Sequence, residues 1–403
     1  MRDKTWITNG IRFVCQNYKK RTAGSQAERE CQLYFAEQLS SWADEVHKEP
    51  VTFHPNAFIG SILLQALLGI CAAVCFWLAK YTAVRVFSVF SCIAAMLALL
   101  SWILEYVLYF RAFDWLYPKE ESTNVIATRK ASGKTKKRII FVGHADAAYE
   151  MPLLLHAKAW MIILLIVVAD IGLVLTAICG VIQMISDLQA PFWSVYSIYQ
   201  IVFVLCCVSF LFFVRWNTVV DGANDNLSGC FIGMAILREM SEQNQRFENT
   251  DICCLITTGE ESGLRGALAY AEKHLKELQE IDTVVIALDT IHEIEQLMVY
   301  TRGINGTQKN SRVVCDLLRS AAKACAVELP DAGFYPGAND SEAFSRYGIK
   351  AAAICGVRHT PAPYYHTRFD SWDNINPDCI SLVIDVCKKV AELFAEQSAT
   401  YKA

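Results

Sequence analysis

Long apolar stretches alternate with segments of mixed character along this chain. Four stretches hold roughly 20 or more mostly apolar residues, the length a helix needs to cross a bilayer. They run Ala57–Ala79, Val84–Phe110, Ala159–Ile185 and Phe192–Trp216. Short turns, AKYTAVR and SDLQAP, join them in pairs and predict two helical hairpins. A hairpin returns the chain to the side it left. Segments 1–56, 111–158 and 217–403 are therefore expected on one side of a membrane as one discontinuous domain, with hairpins at 57–110 and 159–216.

Outside the spans the pattern changes. Residues 26–45 place Cys31, Tyr34, Phe35, Leu39 and Trp42 on one side of a helix. TNVIATRKASGKTKKRIIFVGH reads as two strands of a hairpin around a Gly-Lys turn. ICCLITT, TVVIALDT, QLMVYT and AAAICG are short apolar runs suited to buried strands. The amphipathic stretches GLRGALAYAEKHLKEL, SRVVCDLLRSAAKACA and ISLVIDVCKKVAELFAEQ alternate with them as helices. This alternation predicts an α/β fold, a three-layer αβα sandwich around a mixed, mostly parallel sheet. In such folds chemistry gathers at the carboxyl ends of the strands.

Composition agrees with a polar domain carrying a few spans: 54% of residues are hydrophobic and 19% charged. The net charge of −4 gives no basic face for nucleic acid. Basic residues flank the hairpins on the domain side, Arg111, Arg129, Lys130, Lys134, Lys136, Lys137, Arg138, Lys158 and Arg215 among them, whereas the opposite turns carry Lys80 and Arg85. That asymmetry places the domain in the cytoplasm. Many of the 16 cysteines lie in apolar runs and read as small buried hydrophobes of a reducing compartment. MRDKTWITNGIRFVCQNYKKR lacks the apolar core of a signal peptide. Asp170 and Glu105 lie within spans, where an acid marks either a proton or ion path or a carboxylate packed between helices; the packed reading is favoured.

Several acids and histidines fall where predicted strands end. His144 and Asp146 follow IIFVG, Glu260 and Glu261 follow ICCLITTG, and Asp289 ends TVVIALD. Asp225 lies in DGANDNLSGC and His366 in YYHTRFD. Each alone has an ordinary explanation as a cap, a helix-terminal charge or a surface loop residue. Together they supply the imidazoles and carboxylates that two zinc ions coordinate. Paired ions need a bridging carboxylate, and Asp225 suits that place. The adjacent glutamates can divide labour, one binding metal and one moving protons. Asp146 can orient the His144 ring.

The segments HAD, GANDNLSG, GEESGLRGA, ALD and YYHTRFD, in that order, resemble the motifs of the M28 family of zinc aminopeptidases. GANDSEAFSRYGIKAAAIC also resembles a late family segment, with Lys350 where the family has proline. The resemblance covers the polar parts and leaves out the four spans. It implies that His144 and Asp289 bind one zinc, Glu261 and His366 bind the other, and Asp225 bridges both. It implies Glu260 as the general base that takes a proton from metal-activated water. Cobalt or manganese are alternatives to zinc. Tyr365 is expected to pack the pocket rather than act on the substrate.

The expected protein is thus a membrane-anchored dinuclear zinc exopeptidase that trims N-terminal residues from peptides, its partners being peptide substrate and the lipid bilayer. A glutaminyl-cyclase-like zinc acyltransferase shares the fold and much of the ligand set. A non-catalytic binding protein and, last, a transporter complete the alternatives. Asp225 follows the fourth span so closely in sequence that the site is expected near the membrane surface.

Overall fold

The apolar runs become the centre of one sheet. In the computed structural model, which describes residues 4–332, 337–358 and 363–397, seven strands pair. They are β1 (Glu45–Phe53), β2 (Glu120–Arg129), β3 (Lys137–His144), β4 (Thr250–Thr257), β5 (Asp282–Ile291), β6 (Leu297–Tyr300) and β7 (Lys350–Gly356). Their order across the sheet is β1-β2-β4-β3-β5-β7-β6. The central strands β4, β3, β5 and β7 run parallel. β1, β2 and β6 add antiparallel edges. Every residue of β4 is buried, as a strand covered on both faces requires.

Helices Lys4–Asn17, Gln26–Ser40, Ser228–Glu242, Arg312–Ala324 and Pro377–Glu396 pack together over one face of the sheet. Arg265–Lys273, Leu275–Glu280 and Asp340–Arg346 pack over the other. The result is the three-layer α/β sandwich that the alternation predicts. Phe231 illustrates the first layer. It is fully buried, with the rings of Trp6 and Phe35 centred 5.5 Å and 5.9 Å away, edge-on.

Three local expectations change. β2 and β3 do not form a hairpin, because β4 lies between them. The connecting loop satisfies its backbone elsewhere: Ser132 and Gly133 donate to the carbonyls of Phe247 and Glu248, just ahead of β4. The early helix ends at Ser40, and Glu45 already pairs with Thr128 in the edge strand. The fourth apolar helix is Pro191–Leu211, and Trp216 belongs to a short strand, Arg215–Val219, paired with Tyr149–Glu150. The Trp216 ring packs on Tyr149 with centroids 5.2 Å apart.

The chain divides into two units. One comprises residues 1–55, 119–150 and 216–403 and holds the sheet; the other comprises residues 56–118 and 151–215. The second consists of helices Ala57–Thr82, Val86–Ser101 with a π-type continuation over Trp102–Val107, Ala159–Ile185 and Pro191–Leu211. All four are long and apolar enough to cross a membrane. Val167, Ile171, Val174 and Ile178 form an exposed apolar stripe on the third, a surface suited to lipid rather than water. Its acid is packed within the unit: Gln65 Nε2 donates to Asp170 Oδ1 at 3.0 Å. Glu105 accepts from the Phe113 N–H at 2.6 Å. Both carboxylates therefore have structural partners, as the packed reading anticipates.

Candidate metal centre

Parallel strands of different lengths of approach end on one side of the sheet, and loops there bring the acids and histidines together. His144 is the last residue of β3, Glu260 and Glu261 follow β4, and Asp289 lies near the end of β5. Asp225 comes from the turn Ala223–Leu227, which opens the helix Ser228–Glu242. His366 comes from the loop after β7 and adopts a left-handed backbone, φ 52°.

The helix can start this close to the sheet because position 229 is glycine. A Cβ there would sit 2.1 Å from the Leu288 carbonyl oxygen. Asn226 ties the same junction: its Nδ2 donates to Leu288 O at 2.8 Å and its Oδ1 accepts from Gly229 N at 3.1 Å. The peptide bond between Asp225 and Asn226 is cis.

Asp225 faces both imidazoles. Its Oδ1 lies 3.2 Å from His144 Nε2 and its Oδ2 3.1 Å from His366 Nε2. Glu260 Oε2 lies 3.8 Å from His144 Nε2, and Glu261 Oε1 lies 3.4 Å from His366 Nε2. Three groups have ligand atoms all within 4.8 Å of one another: His144 with Asp225 and Asp289, His144 with Glu260 and Glu261, and Asp225 with Glu261 and His366. All six residues named for the centre and its base are therefore brought together.

Asp146 stands behind them. His144 Nδ1 is 3.2 Å from the Asp146 carbonyl and 3.5 Å from its Oδ1. This directs Nε2 inward as the lone-pair nitrogen. The Asp146 carboxylate itself accepts from Glu260 N at 3.2 Å and Glu261 N at 3.0 Å. It aims the glutamate pair as well as the histidine.

Three buried residues near this centre are assigned no role by the sequence reading. Asp370 accepts from Asn224 N at 2.7 Å, Asn224 Nδ2 at 3.0 Å and Asp225 N at 3.2 Å. Asp340 accepts from Thr257 Oγ1 at 2.6 Å. Glu28 accepts from Gly24 N at 2.7 Å, Ser122 Oγ at 2.8 Å and Thr258 Oγ1 at 2.5 Å. Two of them lie in segments that the motifs point to: Asp340 in GANDSEAFSRYGIKAAAIC and Asp370 four residues after His366.

Burial and charge work against each other here. Burial raises Glu260 and Glu261, and neighbouring carboxylates add to it. Asp289 is pushed up to about 7 by burial and then by Asp225. Asp225 alone is held low, because the two histidines outweigh its burial. Burial pulls His366 down, but Glu261 and Asp225 reverse this and lift it to about 10.

The donor set fits metal ions. His144 Nε2 and Glu261 Oε1 are buried without a hydrogen-bond partner, although charged groups crowd around them. Lone pairs that converge at 3–4 Å without bonding one another are arranged as ligands of a cation. Imidazole with carboxylate is a donor set zinc accepts.

Tyr365 stacks on His366 with centroids 4.0 Å apart, consistent with a packing role. It also lines a cleft that opens beside Asp289.

Comparison with known proteins agrees with the motifs. Residues 210–391 match the model of peptidase family M28, which bears out the resemblance read from the sequence. No curated protein matched the chain in a sequence search. Among solved structures, an aminopeptidase from Aneurinibacillus sp. strain AM-1 is similar at 17% identity, covering 100% of this chain and 96% of that one with a TM-score of 0.58. The LapA aminopeptidase of Legionella pneumophila is similar at 12% identity over 98% of this chain and 72% of that one, TM-score 0.55. An Acidobacteriales bacterium glutaminyl cyclase is similar at 14% identity over 98% and 96%, TM-score 0.56. At these identities the structures establish a shared fold.

Proposed function

We propose that the protein is a membrane-anchored dinuclear zinc exopeptidase that releases N-terminal residues from peptides. The observation that carries this reading is Asp225, whose two carboxylate oxygens each meet a different histidine. That is the geometry of a bridging ligand. His144 and Asp289 would hold one ion, and Glu261 and His366 would hold the other. When bound, the ions supply a nucleophilic water at neutral pH and polarise the scissile carbonyl.

The remaining work belongs to the chain. Glu260 is the general base. Its Oε2 faces the centre 3.8 Å from His144 Nε2, and its backbone N–H is held by Asp146. Burial raises its affinity for a proton. A carboxylate of this kind takes a proton from the attacking water and returns it to the leaving amine.

The spans anchor this unit to a bilayer, and the excess of basic residues on its side of the hairpins supports a cytoplasmic orientation. Protease treatment of sealed vesicles tests the orientation: protection of the sheet-bearing unit from the cytoplasmic side overturns it.

A glutaminyl cyclase is the second reading, supported by cyclase structures of the same fold. Peptide libraries read by mass spectrometry separate the two. Stepwise loss of N-terminal residues supports the aminopeptidase. Loss of ammonia from N-terminal glutamine with intact peptide bonds supports the cyclase.

A further inference from the structure

Beside Asp289 lies a small open cleft with a cavity volume of about 40 Å³. Its walls are largely apolar, formed by Tyr300, Cys355, Val357 and Tyr365. Asp289 is committed to the metal centre. The cleft's other charged lining residue is Arg302. No carboxylate pairs with the Arg302 guanidinium among the described residues. Several other arginines of this unit are paired: Arg358 meets Glu293, Arg368 meets Glu150, and Arg246 meets Asp44.

The wall that carries Arg302 is built to stay in place. Arg302–Gly303 pairs with Gln308–Lys309 as a two-stranded ribbon. The ribbon packs directly on the buried carboxyl of Glu342, where a Cβ at Gly303 would fall 2.1 Å from that side chain's carboxyl carbon. Glu342 is in turn fixed by Asn339 N at 2.6 Å and Asn310 Nδ2 at 2.6 Å. At the ribbon's turn, Asn305 N donates to Gly337 O at 2.9 Å, and Gly337 N donates to Asn305 Oδ1 at 3.0 Å. Gly337 itself lines the cleft.

We infer that Arg302 selects substrates bearing a carboxylate next to the scissile bond, above all peptides with an N-terminal glutamate or aspartate. The inference rests on the peptidase reading and sharpens it. An apolar cleft adjoining the centre receives the side chain of the residue to be released. Its single uncommitted guanidinium rewards a carboxylate at the far end of that side chain with a charge-assisted, bidentate contact. The same charge repels lysine and arginine side chains, so discrimination comes from both signs.

The test compares zinc-loaded wild type with Arg302→Ala and Arg302→Glu on Glu-Ala-Ala, Leu-Ala-Ala and Lys-Ala-Ala amides. These have no free C-terminal carboxylate. Wild type is expected to favour the glutamyl peptide over the leucyl one by about tenfold or more in kcat/KM. That ratio collapses in Arg302→Ala, and Arg302→Glu shifts preference toward the lysyl peptide. A carboxylate preference seen only with free-acid Leu-Ala against Leu-Ala amide, and lost in Arg302→Ala, assigns the recognised group to the substrate's C terminus. Substrate ratios unchanged by both substitutions overturn the proposal. Calorimetry with L-glutamate hydroxamate and L-leucine hydroxamate reads the cleft without turnover. Arg302-dependent preference for the glutamate compound with no peptide cleaved leaves the cleft assignment standing and sinks only the peptidase reading. Equal binding, or none of either, overturns the cleft assignment.

Discussion

Asp370 holds the backbone of Asp225 from 145 positions away in the chain: its Oδ2 accepts the Asp225 N–H at 3.2 Å. Its Oδ1 takes both donors of Asn224. Asp370 thus fixes the turn that presents the bridging carboxylate, without reaching the reacting atoms itself. Replacing it by Asn keeps the shape but leaves one backbone donor facing an amide N–H. Metal affinity is expected to fall about 10- to 100-fold, the usual cost of disturbing a group behind a ligand. Competition with a chelating dye measures it. Restored activity at high zinc then marks a positioning role; affinity equal to wild type removes Asp370 from the centre.

Asp225 and Glu260 are expected to fail differently. Asp225→Asn takes away the charge shared by both ion positions, so bound metal drops toward zero and activity follows. Glu260→Gln leaves the other donors intact. It should retain metal while kcat falls about 10²- to 10⁴-fold, the range for a lost general base. Metal content by elemental analysis, beside kcat, separates the two. Loss of metal in Glu260→Gln would move that residue into the ligand set.

The contrast between these residues shows where the sequence was informative. His144, Glu260, Glu261, Asp289 and His366 sit beside strand ends or in motif loops, so local pattern and motif order pointed to them. Asp370 and Glu28 act through backbone N–H groups and hydroxyls far along the chain, and no local spacing encodes such partners. The parallel strands were legible because burial on both faces demands unbroken apolar runs. By the same token the helix Ser228–Glu242 was not. Its first ten residues, Ser228 to Leu237, are all buried, so over that length it has no polar face and no helical period to read. β1 hid for another reason. It is an edge strand with Pro50 inside it, a residue tolerated at an edge but read in sequence as a break.

Glu28 should make stability depend on pH in a predictable direction. It is fully buried, and burial, then the nearby Asp146, pushes it up to about 8. The folded protein therefore keeps this proton where the unfolded chain has released it. The stabilisation is complete below about 4.5 and is lost as pH rises toward 8. Glu28→Gln suits the same partners, with its carbonyl toward Gly24 and Ser122 and its amide donating to Thr258. The variant should match wild type near pH 5 and exceed it at pH 8, by on the order of 1–3 kcal/mol. Thermal midpoints in detergent at the two pH values decide it. A difference that does not change with pH means Glu28 is ionised throughout.

Chelation tests the centre as a whole. Asp225, Glu260, Glu261 and Asp289 gather their carboxylates against two imidazoles, in a site where burial already opposes charge. Cations relieve that repulsion in the folded state and have no comparable site in the unfolded chain. Bound ions at about a thousand times their dissociation constant stabilise a fold by about 4 kcal/mol. EDTA should therefore lower the thermal midpoint of the sheet-bearing unit by several degrees, and added zinc should restore it. The hairpin unit has no such cluster among its described residues, so the helical signal from the spans should hold while the first transition moves. Asp225→Asn provides the control: with the bridging charge gone, zinc should no longer shift the midpoint. A midpoint indifferent to EDTA in the wild type, with zinc confirmed removed, would mean that protons alone balance these carboxylates, and the metallopeptidase reading would fall with it.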